Sequence, residues 1–504
     1  MRKYLGPALV FGGLPAVNLA FHLATLHGYG IFRDELYYLA CGRHLAWGYV
    51  EFPPLIAVLA RAVTSLLGES LFAVRLLPAL AGAALVLLTA LIARDLGGGR
   101  FAQFLAGLAV IVTPCWMSQH HILNTNAFDP LFWGGCAWLL IRILKTGDSR
   151  YWLGFGAVAG LGLLNKHAML FFGFGIVLGL LLTPARQVFR QRHLWLGGAL
   201  AFLIFLPHLV WQIRMGWPTL EFLENAVKYK NAIFTPWQFF ASQLMLTGAA
   251  VPVWIAGLWF FFRPRGRPYR SLGWTFLIVY VTLFVLRGKG YYLMPIYPML
   301  LAAGAVLLEE AAAPPRRHWL RRALTAAMLV TGVIAAPLAV PLLPVETFIR
   351  YAAVVGIQYV DERHQMGRLP MFYADMFGWQ NMAEQVAAVF HQLSPDEQAH
   401  TAIFGQDYGQ AGAIDYFGPR LGLPHAISGH NNYYLWGPGP VDPQVVIVIG
   451  GGGTGARKLF ADVQPAGLIV DPNAMPYESN LTIWVCRRPK ISLREYWPHL
   501  KHYI

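Results

Sequence analysis

Charged residues are scarce in this chain. Asp, Glu, Lys and Arg make up 13% of its 504 residues, against about 25% in soluble globular proteins. Hydrophobic residues make up 56% and aromatic residues 14%. This composition argues against a soluble globular domain. Many segments instead reach the roughly 18–20 apolar residues that span a bilayer, so the sequence predicts a polytopic α-helical membrane protein.

Cysteine is also scarce. The four cysteines, Cys41, Cys115, Cys136 and Cys486, form no Cys-x-x-Cys pair and show no regular spacing. Cys115 and Cys136 lie in or beside apolar segments. This pattern argues against a disulfide framework and against a cysteine-ligated zinc site.

Acidic residues are outnumbered by basic ones, 25 against 39, which gives a net charge of +14. Such an excess can indicate a nucleic-acid-binding protein. Here the Lys and Arg residues cluster in short loops between apolar segments, which is typical of the cytoplasmic loops of membrane proteins. Nucleic acid is therefore not an expected partner.

Apolar segments and basic loops together predict eleven membrane-spanning helices. They lie near residues 5–27, 70–93, 100–116, 127–145, 151–165, 167–185, 194–213, 243–262, 271–286, 291–308 and 320–343. Six basic clusters fall in alternate loops and are assigned to the cytoplasmic side. The first segment shows no small-residue cleavage site, so we expect a retained first span with a cytoplasmic N-terminus. An odd number of crossings then places everything after residue 344 outside.

The composition changes after residue 343. Residues 344–504 carry more charge, Gly, Asn and Asp, and short β-like runs alternate with helical ones. We therefore expect a transmembrane unit at 1–343, with outer loops at 28–69 and 214–242, and a small extracytoplasmic α/β domain at 344–504. The predicted elements of this domain are the strands Thr401–Phe404, Val445–Ile449, Gly467–Val470 and Leu481–Cys486 and the helix Asn381–Gln392. In the first loop, Leu36–Trp47 and Leu55–Leu67 are amphipathic stretches suited to the membrane interface.

Acids stand at the outer end of the first span. Asp34 and Glu35 follow it directly, and Glu51 comes later in the same loop. Carboxylates beside a membrane segment either serve a function or are ordinary acids of a loop in water, and position alone does not decide between these. Sugar transfer to a hydroxyl needs a carboxylate beside the bond being formed. Asp34 and Glu51 would converge if the amphipathic stretches fold back.

A second polar cluster opens a late span. Lys289, Tyr291, Tyr292 and Tyr297 are interleaved there with two prolines. A lysine and tyrosine hydroxyls would bind a phosphate at this position. The alternative is an interfacial aromatic belt with a snorkelling lysine.

Three further motifs allow more than one interpretation. His120-His121 precede Asp129, but adjacent histidines on a helix point about 100° apart and do not form a metal pair. Gly450–Gly455 matches G-x-G-x-x-G after a predicted strand, although a plain strand-to-helix turn is preferred to a dinucleotide site. His430–Gly439 is dense in polar and aromatic residues and suits either sugar binding or a packed loop.

Taken together, Asp34-Glu35 after the first span, Glu51 before Pro53-Pro54-Leu55, and Lys-x-x-Tyr-x-x-Pro-x-Tyr-Pro from Lys289 resemble the GT-C glycosyltransferases. The closest group is the bacterial branch related to protein O-mannosyltransferases and to the aminoarabinose transferase of lipid A. The resemblance covers roughly residues 1–310. The predicted outer domain resembles only a narrower subgroup, through Asp415-Tyr416-Phe417-Gly418 and Ser428-Gly429-His430-Asn431.

The resemblance implies a polyprenyl-phosphate-linked sugar donor and an acceptor approached from the outer face. Asp34 matches the family's first-loop acid, proposed as base or acceptor-orienting group, and Glu51 matches the second acid. Lys289 and Tyr292 match the segment near the donor phosphate. Aminoarabinose transferases carry a lysine directly after the second acid, where this chain has Phe52. Another cation must then neutralise the phosphate, and the candidates are Lys289 first, then Arg214, Lys228 and Lys166.

The sequence thus predicts an inverting glycosyltransferase of a bacterial inner membrane. It would move a sugar from undecaprenyl phosphate to an envelope glycolipid, polysaccharide or protein. The expected substrate-binding residues are Asp129, His121, Tyr291 and Tyr297. No cofactor is assigned, a divalent metal ion is left open, and a monomer is expected. The alternatives are a lipid-linked sugar flippase or transporter, which would need polar groups through the midplane, and a non-catalytic envelope protein.

Overall fold

The computed structural model describes residues 6–230, 235–356, 367–440 and 442–504. The predicted loop at 214–242 and the predicted domain at 344–504 each include residues outside these ranges. A bundle of apolar helices forms the first two thirds of the chain. Its long helices are Leu14–Ala24, Leu71–Asp95, Arg100–Val112, Asp129–Thr146, Tyr151–Asn165, Met169–Leu181, Arg192–Arg214, Pro236–Thr247, Val251–Phe262, Arg270–Val285, Tyr297–Ala311 and Trp319–Ala339.

Every predicted span contains a helix. Within the described residues, seven helical segments are long and apolar enough to cross a membrane: Leu71–Asp95, Thr125–Thr146, Arg192–Arg214, Pro236–Phe262, Arg267–Val285, Gly290–Ala311 and Pro315–Ala339. An eighth would be Met169–Leu181 with Pro184–Arg190, which meet at a bend of 110°. Three shorter apolar helices, Leu9–Ala24, Arg100–Val112 and Tyr151–Asn165, cover the other predicted spans. The protein is therefore a multi-pass helical membrane protein, and the count of eleven crossings stays a prediction.

Three of the basic loops meet at one end of the bundle. Lys145 Nζ lies 3.4 Å from Asp95 Oδ1, and Arg265 donates a hydrogen bond to the backbone carbonyl of Gly97 at 2.8 Å. The loops near residues 95, 145 and 265 are thus neighbours. Alternate loops must meet in this way when successive helices run up and down.

The first predicted outer loop lies at the opposite end. Arg75 and Asp95 stand near the two ends of the helix Leu71–Asp95, whose 25 residues extend about 37 Å. Arg75 pairs with Glu35 of the helix Arg33–Arg43, whereas Asp95 pairs with the basic end. The amphipathic stretch Leu36–Trp47 lies partly in the helix Arg33–Arg43, and the stretch Leu55–Leu67 coincides with a helix.

Two glycines bring a pair of central helices into close contact. A Cβ on Gly257 would collide with the carbonyl of Leu300, and one on Gly304 would collide with the carbonyl of Val253. Small residues at such positions let helix backbones approach closely in a membrane. The helix Tyr297–Ala311, which continues from the predicted phosphate segment, is held in the bundle in this way.

A five-stranded sheet lies in the C-terminal part of the chain. Its strands are β1 (Thr401–Phe404), β2 (Ala426–Ile427), β3 (Val445–Ile449), β4 (Phe460–Ile469) and β5 (Leu481–Pro489). Their order is β2-β1-β3-β5-β4; β1 is parallel to β2 and β3, and β5 is antiparallel to β3 and β4. All four predicted strands are present, although β4 begins earlier than predicted. The accompanying helices are Val345–Val355, Met371–Ala374, Trp379–Phe390, Pro395–Ala399, Tyr408–Phe417, Asn431–Trp436, Gly453–Leu459 and Leu493–Tyr496.

The glycine run after β3 does not form a dinucleotide site. It leads into the short helix Gly453–Leu459 and then into β4, which β5 separates from β3. A dinucleotide fingerprint requires a helix that joins neighbouring parallel strands. The φ angles of Gly450 and Gly451, +67° and +68°, are those of a tight turn. The preferred interpretation, a strand-to-helix turn, fits this geometry.

Candidate functional site

Asp34 lies where the α/β part of the chain covers the end of the bundle. It belongs to the first turn of the helix Arg33–Arg43 and is partly exposed, whereas Glu35 beside it is buried. The hydroxyl of Tyr408 donates a hydrogen bond to Asp34 Oδ1 at 2.8 Å. The nearest partner of this membrane-proximal acid thus comes from a distant part of the sequence.

Glu51 is joined to Asp34 through a pair of stacked tyrosines. The rings of Tyr37 and Tyr408 stack with centroids 4.4 Å apart and an interplanar angle of 19°. The Tyr37 hydroxyl donates to Glu51 Oε2 at 2.9 Å, and Asn431 Nδ2 donates to Glu51 Oε1 at 2.5 Å. We call Asp34, Tyr37, Glu51, Tyr408 and Asn431 the acid site. The first outer loop therefore folds back, and the two predicted catalytic acids lie close together.

The surroundings of Glu51 bring its titration into the neutral range. Burial raises the pKa of Glu51 to about 7, and this effect outweighs the hydrogen bonds from Tyr37 and Asn431 and the positive charge of Lys230, which all favour the carboxylate. Groups that exchange protons in catalysis work best with a pKa near the operating pH. Glu51 therefore differs from a solvated loop acid, whose pKa stays near its ordinary value.

A second cluster surrounds Lys166. Its ammonium donates to Asn126 Oδ1, lies 4.0 Å from Asp129 Oδ2, and stands 4.9 and 5.6 Å from the ring centroids of Tyr292 and Tyr291. We call Asn126, Asp129, Lys166, Tyr291 and Tyr292 the lysine cleft. The other residues that line it are Cys115, Trp116, Gln119, Pro130, Met294 and Pro295. Four residues predicted from separate motifs, Asp129, Lys166, Tyr291 and Tyr292, are thus brought together.

Lys289 lies directly before the segment that supplies the two tyrosines. It is 9% exposed and precedes the 3₁₀ segment Gly290–Ile296. The carbonyl of Gly290 accepts a hydrogen bond from Gln243 Nε2 at 3.1 Å, which ties the segment to the helix Pro236–Thr247. The predicted phosphate-binding segment is therefore held against a neighbouring helix, and it contributes Tyr291 and Tyr292 to the lysine cleft.

Two predicted substrate-binding residues are enclosed in the protein interior, and their assignment stays a prediction. Tyr297 is 0% exposed, and its hydroxyl donates to Gln243 Oε1 at 3.0 Å. His121 is 1% exposed, with Nε2 3.4 Å from Arg75 Nη1 and Nδ1 3.4 Å from Thr25 Oγ1. Both side chains contact neighbouring elements of the bundle, and neither is exposed in this structure.

The candidate cations of the second outer loop are not equivalent. Arg214 is exposed at the end of its helix, and Lys228 is exposed with its ammonium 4.9 Å from the ring centroid of Tyr229. Lys230, from the same turn as Lys228, is the residue whose charge acts on Glu51. The structure thus favours Lys230 over Lys228 and Arg214 as a cation near the acid site. Lys230 is not among the cations predicted from the sequence.

Phe52 occupies the position where aminoarabinose transferases carry a lysine. It is 6% exposed, and its ring packs against Tyr37, Tyr38 and Tyr49 with centroids 5.8, 5.1 and 5.1 Å apart. An apolar ring here supports the tyrosine that holds Glu51. Because Phe52 carries no charge, other cations must neutralise a donor phosphate, as the sequence predicts.

Of the residues that hold the two acids, Tyr408 is not predicted from the sequence, and Asn431 appears there only as part of the motifs Ser428–Asn431 and His430–Gly439. Tyr408 and Asn431 lie more than 370 residues from their partners along the chain, and no local pattern connects them. The sequence motifs assign no role to Glu35, but its carboxylate forms a buried ion pair with Arg75 at 2.9 Å. A signal for this pair was present, because an arginine inside a membrane helix requires a partner.

The sequence leaves a divalent metal ion open, and the part of the chain that the structure describes shows no cluster of side chains for one. Across residues 6–230, 235–356, 367–440 and 442–504, no group of three or more His, Cys, Asp and Glu side chains is arranged to hold a metal ion. Both carboxylates of the acid site already accept hydrogen bonds from protein donors. We therefore derive no step through a metal ion.

Fold and site together define a multi-pass membrane protein with a pair of carboxylates at one end of its bundle. Residues 51–211 match the family model of dolichyl-phosphate-mannose-protein mannosyltransferases. The chain is 29% identical over 250 residues to the lipid A galacturonosyltransferase RgtD of Rhizobium johnstonii, a match that covers 47% of this chain and 50% of RgtD. It thus spans about half the length of this curated relative.

Two solved structures share the fold. They are ArnT from Cupriavidus metallidurans bound to undecaprenyl phosphate, with a TM-score of 0.63, and the same protein in the apo state, with a TM-score of 0.62. Each is 15% identical to this chain; the first match covers 95% of this chain and 98% of ArnT, the second 94% and 97%. At 15% identity, these two matches show that the chain shares its fold with ArnT.

Proposed function

We propose that the protein transfers a sugar from a polyprenyl-phosphate donor to a hydroxyl of an envelope acceptor, with inversion at the anomeric carbon. The observation that carries this proposal is the acid site, where Asp34 is partly exposed and Glu51 has a pKa near 7. The names of the relatives support the substrate classes. RgtD is a lipid A galacturonosyltransferase, and one ArnT structure contains undecaprenyl phosphate.

Asp34 is the base in this mechanism. It takes the proton of the acceptor hydroxyl while the acceptor oxygen attacks the anomeric carbon, and the bond from that carbon to the phosphate oxygen breaks. The polyprenyl phosphate leaves from the opposite side of the sugar, which inverts the anomeric centre. The Glu51 carboxylate faces the positive charge that develops on the sugar in an oxocarbenium-like transition state.

The lysine cleft and Lys289 would stabilise the leaving phosphate. Lys166 offers a charge and Tyr291 and Tyr292 offer hydroxyl donors at one place, and Lys289 stands at the start of the same segment. Charge-assisted hydrogen bonds of this kind are the strong ones in phosphate binding. Asp129 is buried beside Lys166 and would hold its ammonium in position.

We place the protein in a bacterial inner membrane. The end that carries the basic loops would face the cytoplasm, and the acid site with the α/β domain at 344–504 would lie outside. A donor embedded in the same membrane reaches such a site without a nucleotide pocket. The protein would act as a monomer, because both acids and the lysine cleft belong to one chain.

Turnover with a labelled donor tests the proposal. Purified protein is reconstituted in liposomes with labelled undecaprenyl-phosphate sugars and a lipid A precursor, and the acceptor is analysed by mass spectrometry. Labelled sugar that is covalently bound to the acceptor would demonstrate sugar transfer. Label that crosses the bilayer without any glycosylated product would instead identify a flippase and overturn the proposal.

A further inference from the structure

Tyr408 and Asn431 occupy equivalent positions on the sheet. Tyr408 begins the helix that follows β1, and Asn431 begins the helix that follows β2. Because β1 and β2 are parallel neighbours, both residues stand at the carboxyl ends of their strands, on one edge of the sheet. Ligand and active-site residues of α/β folds gather at this edge. Here the edge faces the acids of the first outer loop.

The hydrogen bonds around Tyr37 have a fixed direction. The backbone N–H of Asn432 and its Nδ2 both donate to the Tyr37 oxygen, at 3.1 and 2.5 Å. A hydroxyl has one proton and two lone pairs. With both lone pairs engaged by Asn432, the Tyr37 proton is directed at Glu51. Asn432 of the α/β domain therefore directs the hydroxyl proton of Tyr37 towards Glu51.

Asn431 is held in a strained backbone conformation. Its φ of +47° lies in the left-handed region, which is uncommon for non-glycine residues and which Asn adopts more readily than most. Its Oδ1 accepts a hydrogen bond from the backbone N–H of Ile504 at 3.1 Å. This contact orients the side-chain amide so that Nδ2 points at Glu51. The left-handed backbone of Asn431 is thus accompanied by a side-chain hydrogen bond to Glu51.

We infer that the α/β domain completes the acid site, with Tyr408 and Asn431 as positioning residues for Asp34 and Glu51. The inference rests on the proposed sugar transfer. The Tyr408 hydroxyl fixes Asp34 Oδ1, so that the carboxylate presents its second oxygen to the acceptor hydroxyl. The Asn431 amide stabilises the charged form of Glu51. The bundle alone therefore has both acids but lacks the contacts that orient them.

Two substitutions test the inference. Tyr408→Phe keeps the stacked ring and removes the hydroxyl, and Asn431→Gly keeps the left-handed backbone and removes the amide. Each has a matched control in the same domain. Tyr373→Phe removes a buried hydroxyl that donates to the carbonyl of Pro337 at 2.9 Å, and Asn480→Gly replaces an exposed asparagine with a φ of +60°.

We expect Tyr408→Phe to lower kcat by about 10- to 100-fold, the usual effect of losing a hydrogen bond to a charged group, with the donor KM unchanged. We expect Asn431→Gly to move the rise of the pH–rate profile to higher pH, because it removes a donor that favours the carboxylate. The titratable groups that face Glu51 are Tyr37, Tyr38, Cys41, Tyr408, Tyr503 and Lys230. Lys230 is the cation among them, and its charge favours the carboxylate form of Glu51.

The controls should keep the wild-type kcat and pH profile, and thermal unfolding of all four variants shows that they fold. If Tyr408→Phe and Asn431→Gly match the controls while the wild-type protein transfers sugar, the inference is wrong and the proposed function stands. If the wild-type protein transfers sugar from no polyprenyl-phosphate donor, the proposed function fails, and the inference fails with it.

Discussion

Glu35 and Arg75 form an ion pair of 2.9 Å in which neither side chain is exposed. Glu35 Oε1 also accepts a hydrogen bond from the backbone N–H of Leu123 at 2.9 Å. The pair ties the helix Arg33–Arg43 to the helix Leu71–Asp95 and so fixes the position of Asp34. Two adjacent acids have separate tasks: Glu35 holds the helix in place, and Asp34 faces the space where a substrate would bind.

Glu35→Gln should destabilise the protein strongly. Removing one partner of a buried ion pair leaves an uncompensated charge and costs about 3–5 kcal/mol. Chemical unfolding in mixed micelles measures this cost. Glu69→Gln is the matched control, because the Arg43–Glu69 pair is 2.7 Å long but its side chains are 23% and 38% exposed. Its loss should cost less than about 1 kcal/mol. Equal losses for the two variants would contradict the anchoring role of Glu35.

The rate of sugar transfer should rise with pH through about 7, where Glu51 titrates. Burial raises the pKa of Glu51, so its neutral form dominates below that pH and the reactive carboxylate dominates above it. A pH profile of kcat/KM measures the rise. Glu51→Gln should lower the rate and remove the rise near neutrality. An unchanged profile in Glu51→Gln would show that another group controls the pH dependence.

Lys166→Gln should weaken the binding of undecaprenyl phosphate. Losing a charged hydrogen-bond donor costs about 1.5 kcal/mol or more, which is about tenfold in affinity. Lys166→Arg keeps the charge and should bind more tightly than Lys166→Gln. Lys228→Gln, at an exposed position beside Tyr229, should bind as the wild-type protein does. Equilibrium binding of the labelled lipid phosphate distinguishes these variants, and a larger loss in Lys228→Gln would move the phosphate away from the lysine cleft.

The two ends of the bundle should lie on opposite sides of the membrane. Alkaline phosphatase is active only outside the cytoplasm, so a fusion after residue 344 should be active and a fusion after residue 147 should be inactive. Activity is compared at equal levels of fusion protein in whole cells. Activity after residue 147 but not after residue 344 would invert the proposed orientation.

Local patterns predicted a helix in every apolar run, four of the five strands and the candidate acids, but not the two-residue strand β2. The apolar runs match the bundle helices, and the alternation of β-like runs matches β1, β3 and β5. Tyr297 shows the limit of a motif, because the backbone turns between Tyr292 and Tyr297 and directs the second ring into the core. The contact of Tyr408 with Asp34 joins residues 374 positions apart. Such a contact depends on how the sheet packs on the bundle, and sequence periodicity contains no information about that packing.

The substitution Asp34→Asn tests the central claim most directly. It keeps the size and the Tyr408 contact of the side chain but removes the base that accepts the acceptor proton. Transfer from labelled undecaprenyl-phosphate sugar is measured together with equilibrium binding of the donor, and Asp148→Asn at the basic end serves as the control. We predict that donor binding is retained and that transfer falls by about 100-fold or more. Transfer by Asp34→Asn at the wild-type rate would contradict the assignment of Asp34 as the catalytic base.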